Sequence, residues 1–305
     1  MQISTLIETV AVLMALMIIG YFGAKKGIFT PTVTKGFSSL VFNVFLVSSV
    51  FSSICNDVPD MSAKDLLVII GVLSLTVIMS YVIARVYTLI FTRKGDAAPI
   101  TEMSIAVMNT LLFGLPIVQQ VYGSMAVLYM GLSSVAFNLV LFSYGVMRLH
   151  KGEGSAIRFK DMLSPILIAT VLAVVFLLAR IPLPGLLQRY LNMTAPATLP
   201  MSMMVLGATM GGGDLLGAFK DRRIYGVCFT RLVLAPLIMW AVLAPMGLEP
   251  ILLRTAVVIA GCPTGVIIPV MALQYGHDAL FASRCVMAST LMSVITLPIL
   301  ILLLG

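Results

Sequence analysis

Long apolar stretches separated by short polar strings run from one end of the chain to the other. A helix that crosses the hydrocarbon of a bilayer needs about 20 apolar residues. Measured against that length, the apolar runs predict ten spans. The first five cover residues 4–22, 37–55, 65–90, 103–121 and 125–148, and the second five 162–180, 196–212, 224–245, 250–274 and 280–304. The polar strings AKKGIFTPTVTK, NDVPDMSAKD, TRKGDAAP, HKGEGSAIRFKD and FKDRR read as joints and leave no room for a soluble domain.

Composition narrows the class. Of 305 residues, 60% are hydrophobic and 10% charged, and the mean hydropathy is +1.10. A soluble domain carries roughly 25% charged residues on its wet surface, so a soluble enzyme, a nucleic-acid module and a disordered or collagen-like chain are excluded. The fold class expected is an all-α polytopic membrane protein whose surroundings are lipid. The charges then orient it. Fifteen of the 19 Lys and Arg fall on the joints after odd-numbered spans or on helix ends beside them, leaving Lys64, Arg180, Arg189 and Arg254 on the other side. Cytoplasmic loops collect basic residues, which predicts those joints inside and both termini outside. The net charge of +7 is an orientation signal and implies no nucleic-acid partner.

The four cysteines, Cys55, Cys228, Cys262 and Cys285, show no C-x-x-C spacing and read as small packing residues. The opening MQISTLIETV carries no Lys or Arg of a secretory signal, so the first run is read as a true span.

Spans four and nine are interrupted in the same way. The first contains Asn109-Thr110-Leu111-Leu112-Phe113-Gly114-Leu115-Pro116, the second Pro263-Thr264-Gly265-Val266-Ile267-Ile268-Pro269. With Pro116 set against Pro269, Tyr122-Gly123 falls on Tyr275-Gly276, six residues on in both. Asn109-Thr110 meets Pro263-Thr264 with a one-residue gap. Segments five spans apart traverse the membrane in opposite directions, which predicts two inverted five-span repeats, residues 1–150 and 151–305, each with a broken helix. Proline removes an N–H donor and clashes with the preceding turn, so the helices are expected to open at Pro116 and Pro269. Such openings are tolerated only inside protein or along a wet cavity. A half-helix starting there aims its positive end at mid-depth, so two meeting breaks form a small-anion site without a buried Lys or Arg. Matched interruptions in two halves are the strongest sequence pointer to a transporter's binding site.

The string MNTLLFGLPIVQQVYG at 108–123 resembles the fourth-span signature of the auxin efflux carrier family, and GCPTGVIIPVMALQYGHD at 261–278 resembles its ninth span. MIIGYFGAKKGIF, LVFNVFLVSSVF and ASTLMSVITLPIL are similar to its first, second and last spans. The resemblance covers nearly the whole chain in matching order. It implies an architecture similar to sodium/proton antiporters, with a scaffold of spans 1, 2, 6 and 7 that offers a homodimer interface. A transport bundle of spans 3–5 and 8–10 would carry a small organic carboxylate, malate- or malonate-like or auxin-like, in an elevator movement. The implied substrate site takes Asn109 as leading donor, with Thr110, Gly114, Pro116, Pro263, Thr264, Gly265 and Pro269 around it and Asn43 and Ser164 from spans two and six. Two positions depart from the family: Val47 stands where span two usually has proline, and Ser164-Pro165 stands for the usual Asn-Pro of span six. The absence of a long cytoplasmic loop favours a bacterial-type member, in the inner membrane. The alternative is a sodium-coupled organic-anion symporter of bile-acid-transporter type.

The remaining polar residues bear on that choice. Eleven of the acids, among them Glu102, Asp214 and Asp278, sit in or beside loops, and Glu8 lies near the outer end of span one. None is read as mid-span. Cation antiporters need buried carboxylates, and span five offers uncharged Asn138 instead. Arg231 and Arg284 are read as anchors snorkelling to the headgroups, with contact to a second carboxylate as the alternative. His150 and His277 fall in joints and are expected to be solvated. Gly207-Ala208-Thr209-Met210-Gly211 is a G-x-x-x-G suited to close helix packing, with a dimer face as one use. The 21 methionines suit flexible packing. No cofactor, metal or enzymatic chemistry is expected, since H-E-x-x-H, G-x-S-x-G, a P-loop and paired mid-span acids do not occur.

Overall fold

In lipid the backbone satisfies its own hydrogen bonds, and leucine-rich runs between capping residues therefore fold as helices. The computed structural model describes residues 3–56, 62–92, 97–150, 165–179 and 181–304. Its helices, in chain order, are α1 (Ile3–Lys25), α2 (Pro31–Leu40), α3 (Leu46–Asn56), α4 (Ala63–Phe91), α5 (Ala97–Ala106), α6 (Leu115–Tyr122), α7 (Ser124–Val140) and α8 (Val146–Leu149). The second part continues with α9 (Pro165–Leu178), α10 (Gly185–Thr194), α11 (Thr198–Gly211), α12 (Leu215–Ala218), α13 (Arg222–Phe229) and α14 (Ala235–Leu243). It ends with α15 (Pro250–Gly261), α16 (Ile268–Gln274) and α17 (Ala279–Leu303). No β-strand occurs among the described residues.

Loop acids start several of these helices. Asp221 accepts from the Arg223 N–H, Glu249 from Ile251 and Leu252, and Asp278 from Phe281. Each satisfies amides that a helix start leaves open. Thr30 caps α2 in the same way, with Pro31 behind it.

Five helical runs are long and apolar enough to span a bilayer: Pro31–Ser53, Lys64–Phe91, Ser124–Leu149, Arg222–Met246 and Ala279–Leu303. Shorter apolar helices lie at Ala11–Lys25, Thr110–Tyr122, Pro165–Leu178 and Pro250–Gly261. Large apolar side chains face outward along them, such as Leu67, Leu89 and Ile90 on α4, Ile168 and Val175 on α9, and Ile295 and Leu303 on α17. An aqueous protein does not present such stripes, and the chain is a multi-pass integral membrane protein. One element is new: α10 occupies a stretch that the hydropathy left to a joint.

Four of the runs contain a π turn, at 41–45, 110–114, 141–145 and 230–234. Two of these are followed, two residues on, by a proline, Pro116 and Pro236. A π turn shifts the hydrogen-bonding partners by one residue, which accommodates the missing proline N–H without opening the helix.

The chain divides into two compact units, and each draws on both parts of the sequence. Unit 1 comprises 1–73, 111–135 and 163–212, and unit 2 comprises 74–110, 136–162 and 213–305. In unit 1, α1 lies directly on α11. A Cβ at Gly207 would stand 1.9 Å from the Met17 carbonyl oxygen, and one at Gly20 2.1 Å from that of Met204. One at Gly211 would stand 2.7 Å from the Tyr21 carbonyl oxygen. The G-x-x-x-G is therefore used up inside the chain, against α1, and its glycines do not form a dimer face. Elsewhere in unit 1, Phe51 of α3 meets Phe176 of α9 edge to face, and the Thr198 hydroxyl donates to the Phe45 carbonyl at 2.7 Å. In unit 2 the core gathers Val77, Tyr81 and Ala84 of α4, Ile100, Met103, Ile105 and Ala106 of α5, and Ala282, Cys285 and Ala288 of α17.

Candidate functional site

Unit 2 holds two places where a helix stops in its buried interior. Helix α5 ends at Ala106 and α15 at Gly261, and every residue of 101–110 and 261–265 is buried. Residues 107–109 and 263–265 lie beside each other as one antiparallel pair centred on Met108 and Thr264. The Asn109 N–H donates to the Pro263 carbonyl at 2.8 Å, and the Gly265 N–H to the Val107 carbonyl at 2.9 Å. Amides and carbonyls freed from their helices thus satisfy one another. Glycine at 265 permits the approach, because a Cβ there would meet Val107 Cγ1 at 2.9 Å and the Met108 carbonyl at 3.4 Å.

Side chains complete the crossing. The Thr264 hydroxyl donates to the Ser104 carbonyl at 2.7 Å, and its N–H donates to Ser289 Oγ at 3.0 Å. Three carbonyls at the ends of α5 and α15 face a single guanidinium. Arg231 donates from Nε to Cys262 at 2.7 Å, from Nη1 to Ile105 at 2.9 Å and from Nη2 to Ile259 at 3.4 Å. Arg231 is fully buried, in the π turn 230–234. The Asn109 side chain is different. It is 5% exposed, and its Nδ2 donates to nothing among the described residues. An unsatisfied buried amide costs about 1–3 kcal/mol, and a bound acceptor would recover that cost.

The residues singled out by sequence fall in three groups. Asn109, Thr110, Pro263, Thr264, Gly265 and Pro269 belong to unit 2, and all but Thr110 and Pro269 lie in the paired segments; Thr110 begins the π turn that follows Asn109, and Pro269 opens α16. Gly114, Pro116 and Asn43 belong to unit 1. Asn43 is exposed and gives its amide to the carbonyl and hydroxyl of Ser39, at 2.7 and 2.9 Å. Ser164 lies outside the described residues.

Four expectations are corrected here. The first break lies at 107–109 and not at Pro116, because the π turn at 110–114 absorbs the proline. Arg231 does not snorkel: the carbonyls of two interrupted helices hold it in the interior, so the core does contain a basic group. Glu102 is no loop residue. It is fully buried on α5, where Arg85 approaches at 3.1 Å, Arg148 at 3.0 Å and Thr88 Oγ1 at 3.4 Å, with the Tyr144 hydroxyl donating to its other oxygen. Arg284 is also no free anchor, since it pairs with Asp214 at 2.6 Å. Of the two histidines, His277 is half-buried with Nε2 2.8 Å from the Leu149 carbonyl, and His150 stands edge-on to Tyr275.

Arg231, Ser104 and Ser289 are the residues that sequence reading missed. The signal for Arg231 was present, since it stands eight residues beyond Arg223, more than two helical turns into an apolar run. Unit 2 also holds a half-open cavity of about 350 Å³ along α16, lined by Phe142, Val146, Ile267, Val270, Met271, Gln274 and Tyr275. It contains no charged group and none of the paired residues, so the polar chemistry lies at the crossing. Of the pKa shifts outside the spans, that of Asp214 is informative. The hydrogen bond from Arg284, then that from the Gly217 N–H, holds its carboxyl below the ordinary 3.8.

Comparison with known proteins gives the following. Residues 5–301 match the family described as membrane transport protein. An uncharacterized transporter of Methanothermobacter thermautotrophicus is 26% identical over 298 residues, 96% of each chain. One from Methanocaldococcus jannaschii is 21% identical over 306 residues, again 96% of each. A protein of Rhizobium meliloti, provisionally named a malonate transporter, is 34% identical over 125 residues, 41% of this chain and 38% of its own.

Proposed function

The chain belongs to the membrane transport protein family, that of the auxin efflux carriers, and we propose that it is a secondary carrier of a small organic anion. The substrate class is a mono- or dicarboxylate of malonate or malate type, or an auxin-like acid. Similarity to the provisionally named malonate transporter supports the first of these.

The observation that carries this reading is the Asn109 amide: nine-tenths buried, unpartnered, and next to two antiparallel interrupted helices. A carboxylate oxygen is the acceptor that such a donor lacks, and a charge-assisted bond is about twice as strong as a neutral one. The Thr110 hydroxyl, next in sequence, would orient the rest of the anion, whereas the N–H groups of Thr264 and Gly265 are already given to Ser289 and Val107.

The wider architecture proposed is ten spans in two inverted repeats, with both termini outside the inner membrane. Support comes from local geometry. Gly123 and Gly276, aligned by the repeat, both adopt left-handed backbone after their short helices, with φ of 74° and 69°. Unit 1 collects spans 1, 2, 6 and 7, the proposed dimerising scaffold, together with residues 65–73, 111–121 and 125–135 of spans 3, 4 and 5. Unit 2 contains spans 8–10 with the rest of those three, and is the core of the proposed moving bundle. Alternating access would then be an elevator movement of that bundle.

The test is flux. Proteoliposomes containing the protein should accumulate labelled malonate, malate or indole acetate above empty vesicles, and Asn109→Ala should abolish uptake while the purified variant keeps its unfolding temperature to within a few degrees. Unchanged uptake kinetics in Asn109→Ala would remove the site assignment.

A further inference from the structure

The crossing contains one full charge that the anion reading leaves without a role. Arg231 is completely buried in the π turn 230–234, and no acidic side chain of the described residues pairs with it. Its hydrogen bonds go to Cys262, Ile105 and Ile259, the last carbonyls of α15 and α5. Helix ends of this kind carry partial negative charge, about half an elementary charge each. Two of them side by side in a low-dielectric interior would repel an anion and gather a small cation, since free carbonyls are the ligands that hard cations take. The guanidinium occupies those carbonyls and cancels their charge.

We propose that Arg231 is a resident cation of the anion site, fixing its charge preference and removing any need for sodium. The proposal rests on the reading of the crossing as an organic-anion site and adds three things to it. Carbonyls that would coordinate a coupling ion already accept from Arg231. The electrostatic balance at the crossing depends on one side chain, so an anion's affinity tracks that charge. The effect grows with the charge of the ligand, because Coulomb energy is proportional to it. Arg231 is thus a specificity-determining residue acting through the field and through the carbonyls it holds, with no contact to the substrate required.

A ligand pair of similar size and different charge separates this role from a merely structural one. Thermal unfolding of the purified full chain in detergent is followed with malonate and with monomethyl malonate, in sodium chloride and in choline chloride. The wild type should be stabilised at lower concentration by malonate than by the monoester, with the same half-saturating concentration in both salts. In Arg231→Gln the half-saturating malonate concentration should rise by about tenfold or more, and that of the monoester distinctly less. Arg231→Lys, which keeps the charge, should retain the preference for the dianion.

The proposal is overturned by a sodium requirement in the wild type, by equal weakening of both ligands in Arg231→Gln, or by loss of the dianion preference in Arg231→Lys. Should Arg231→Gln fail to fold, the wild-type salt comparison and the lysine variant decide alone. A wild type that responds normally while Arg231→Gln is unaltered removes this inference and leaves the anion reading standing. A wild type indifferent to both ligands removes the malonate reading, and the role of Arg231 with it.

Discussion

Two regions of this protein bring backbones into close contact, and they do so by opposite means. In unit 1, α1 and α11 close face to face on Gly20, Gly207 and Gly211, and both helices run unbroken through the contact. In unit 2, α5 and α15 stop short, and their freed amides and carbonyls pair across the gap or bind Thr264, Ser289 and Arg231. The seam needs only small residues, because dispersion contacts and self-satisfied helices suffice in lipid. The crossing needs polar and charged side chains, because hydrocarbon offers no other partners. The seam closes on glycine backbone, whereas the crossing leaves the Asn109 amide unpaired. That unpaired amide is why the proposed solute site is put at the crossing and not at the seam.

Breaking the seam should have the largest effect on stability. Gly207→Leu places a side chain where even a Cβ would stand 1.9 Å from the Met17 carbonyl oxygen. With backbone as the obstacle, overpacking should cost about 3 kcal/mol or more, visible as loss of the monodisperse folded protein on size-exclusion chromatography. Next is Glu102→Gln, which leaves Arg85 and Arg148 without the acid they share. Both arginines are partly exposed, which limits the cost to about 2 kcal/mol, measurable by thermal unfolding at neutral pH. Thr264→Val sharpens the comparison at the crossing itself: losing the hydroxyl to Ser104 should cost about 1 kcal/mol, with a larger proportional loss in anion affinity than in stability.

The smallest effect is that of pH on the ion pair of Asp214 and Arg284. The Asp214 carboxyl is held below its ordinary 3.8, chiefly by the hydrogen bond from Arg284. A depressed acid adds stability above its unfolded pKa and loses it as pH falls through the folded value. The difference in unfolding temperature between wild type and Asp214→Asn should therefore be constant at neutral pH and shrink only below about pH 4.

The interrupted helices were legible because proline, glycine, Asn109 and Thr264 stand where apolar residues would otherwise continue. The exact position of the first break was not. Pro116 marked it seven residues late, since a π turn at 110–114 depends on hydrogen-bond registration that no residue type announces. Arg231 was misplaced for a related reason. Its partners lie 28, 31 and 126 residues away in sequence, and a lone arginine in an apolar run looks the same whether it reaches outward or inward. Glu102 was hidden by its nearness to a polar joint, while Arg148 and Tyr144, which hold it, lie on the far side of α7 in sequence. The glycines of α11 announced close packing correctly, but not that α1 would be the partner.

The central claim is that the crossing in unit 2 binds and moves a small organic anion, and counterflow tests it most directly. Proteoliposomes preloaded with unlabelled malonate should take up labelled malonate transiently above equilibrium with the wild type, and to no greater extent than empty vesicles with Asn109→Ala. Equal counterflow by the two proteins, or none by the wild type across malonate, malate and an indole acid, would contradict the account.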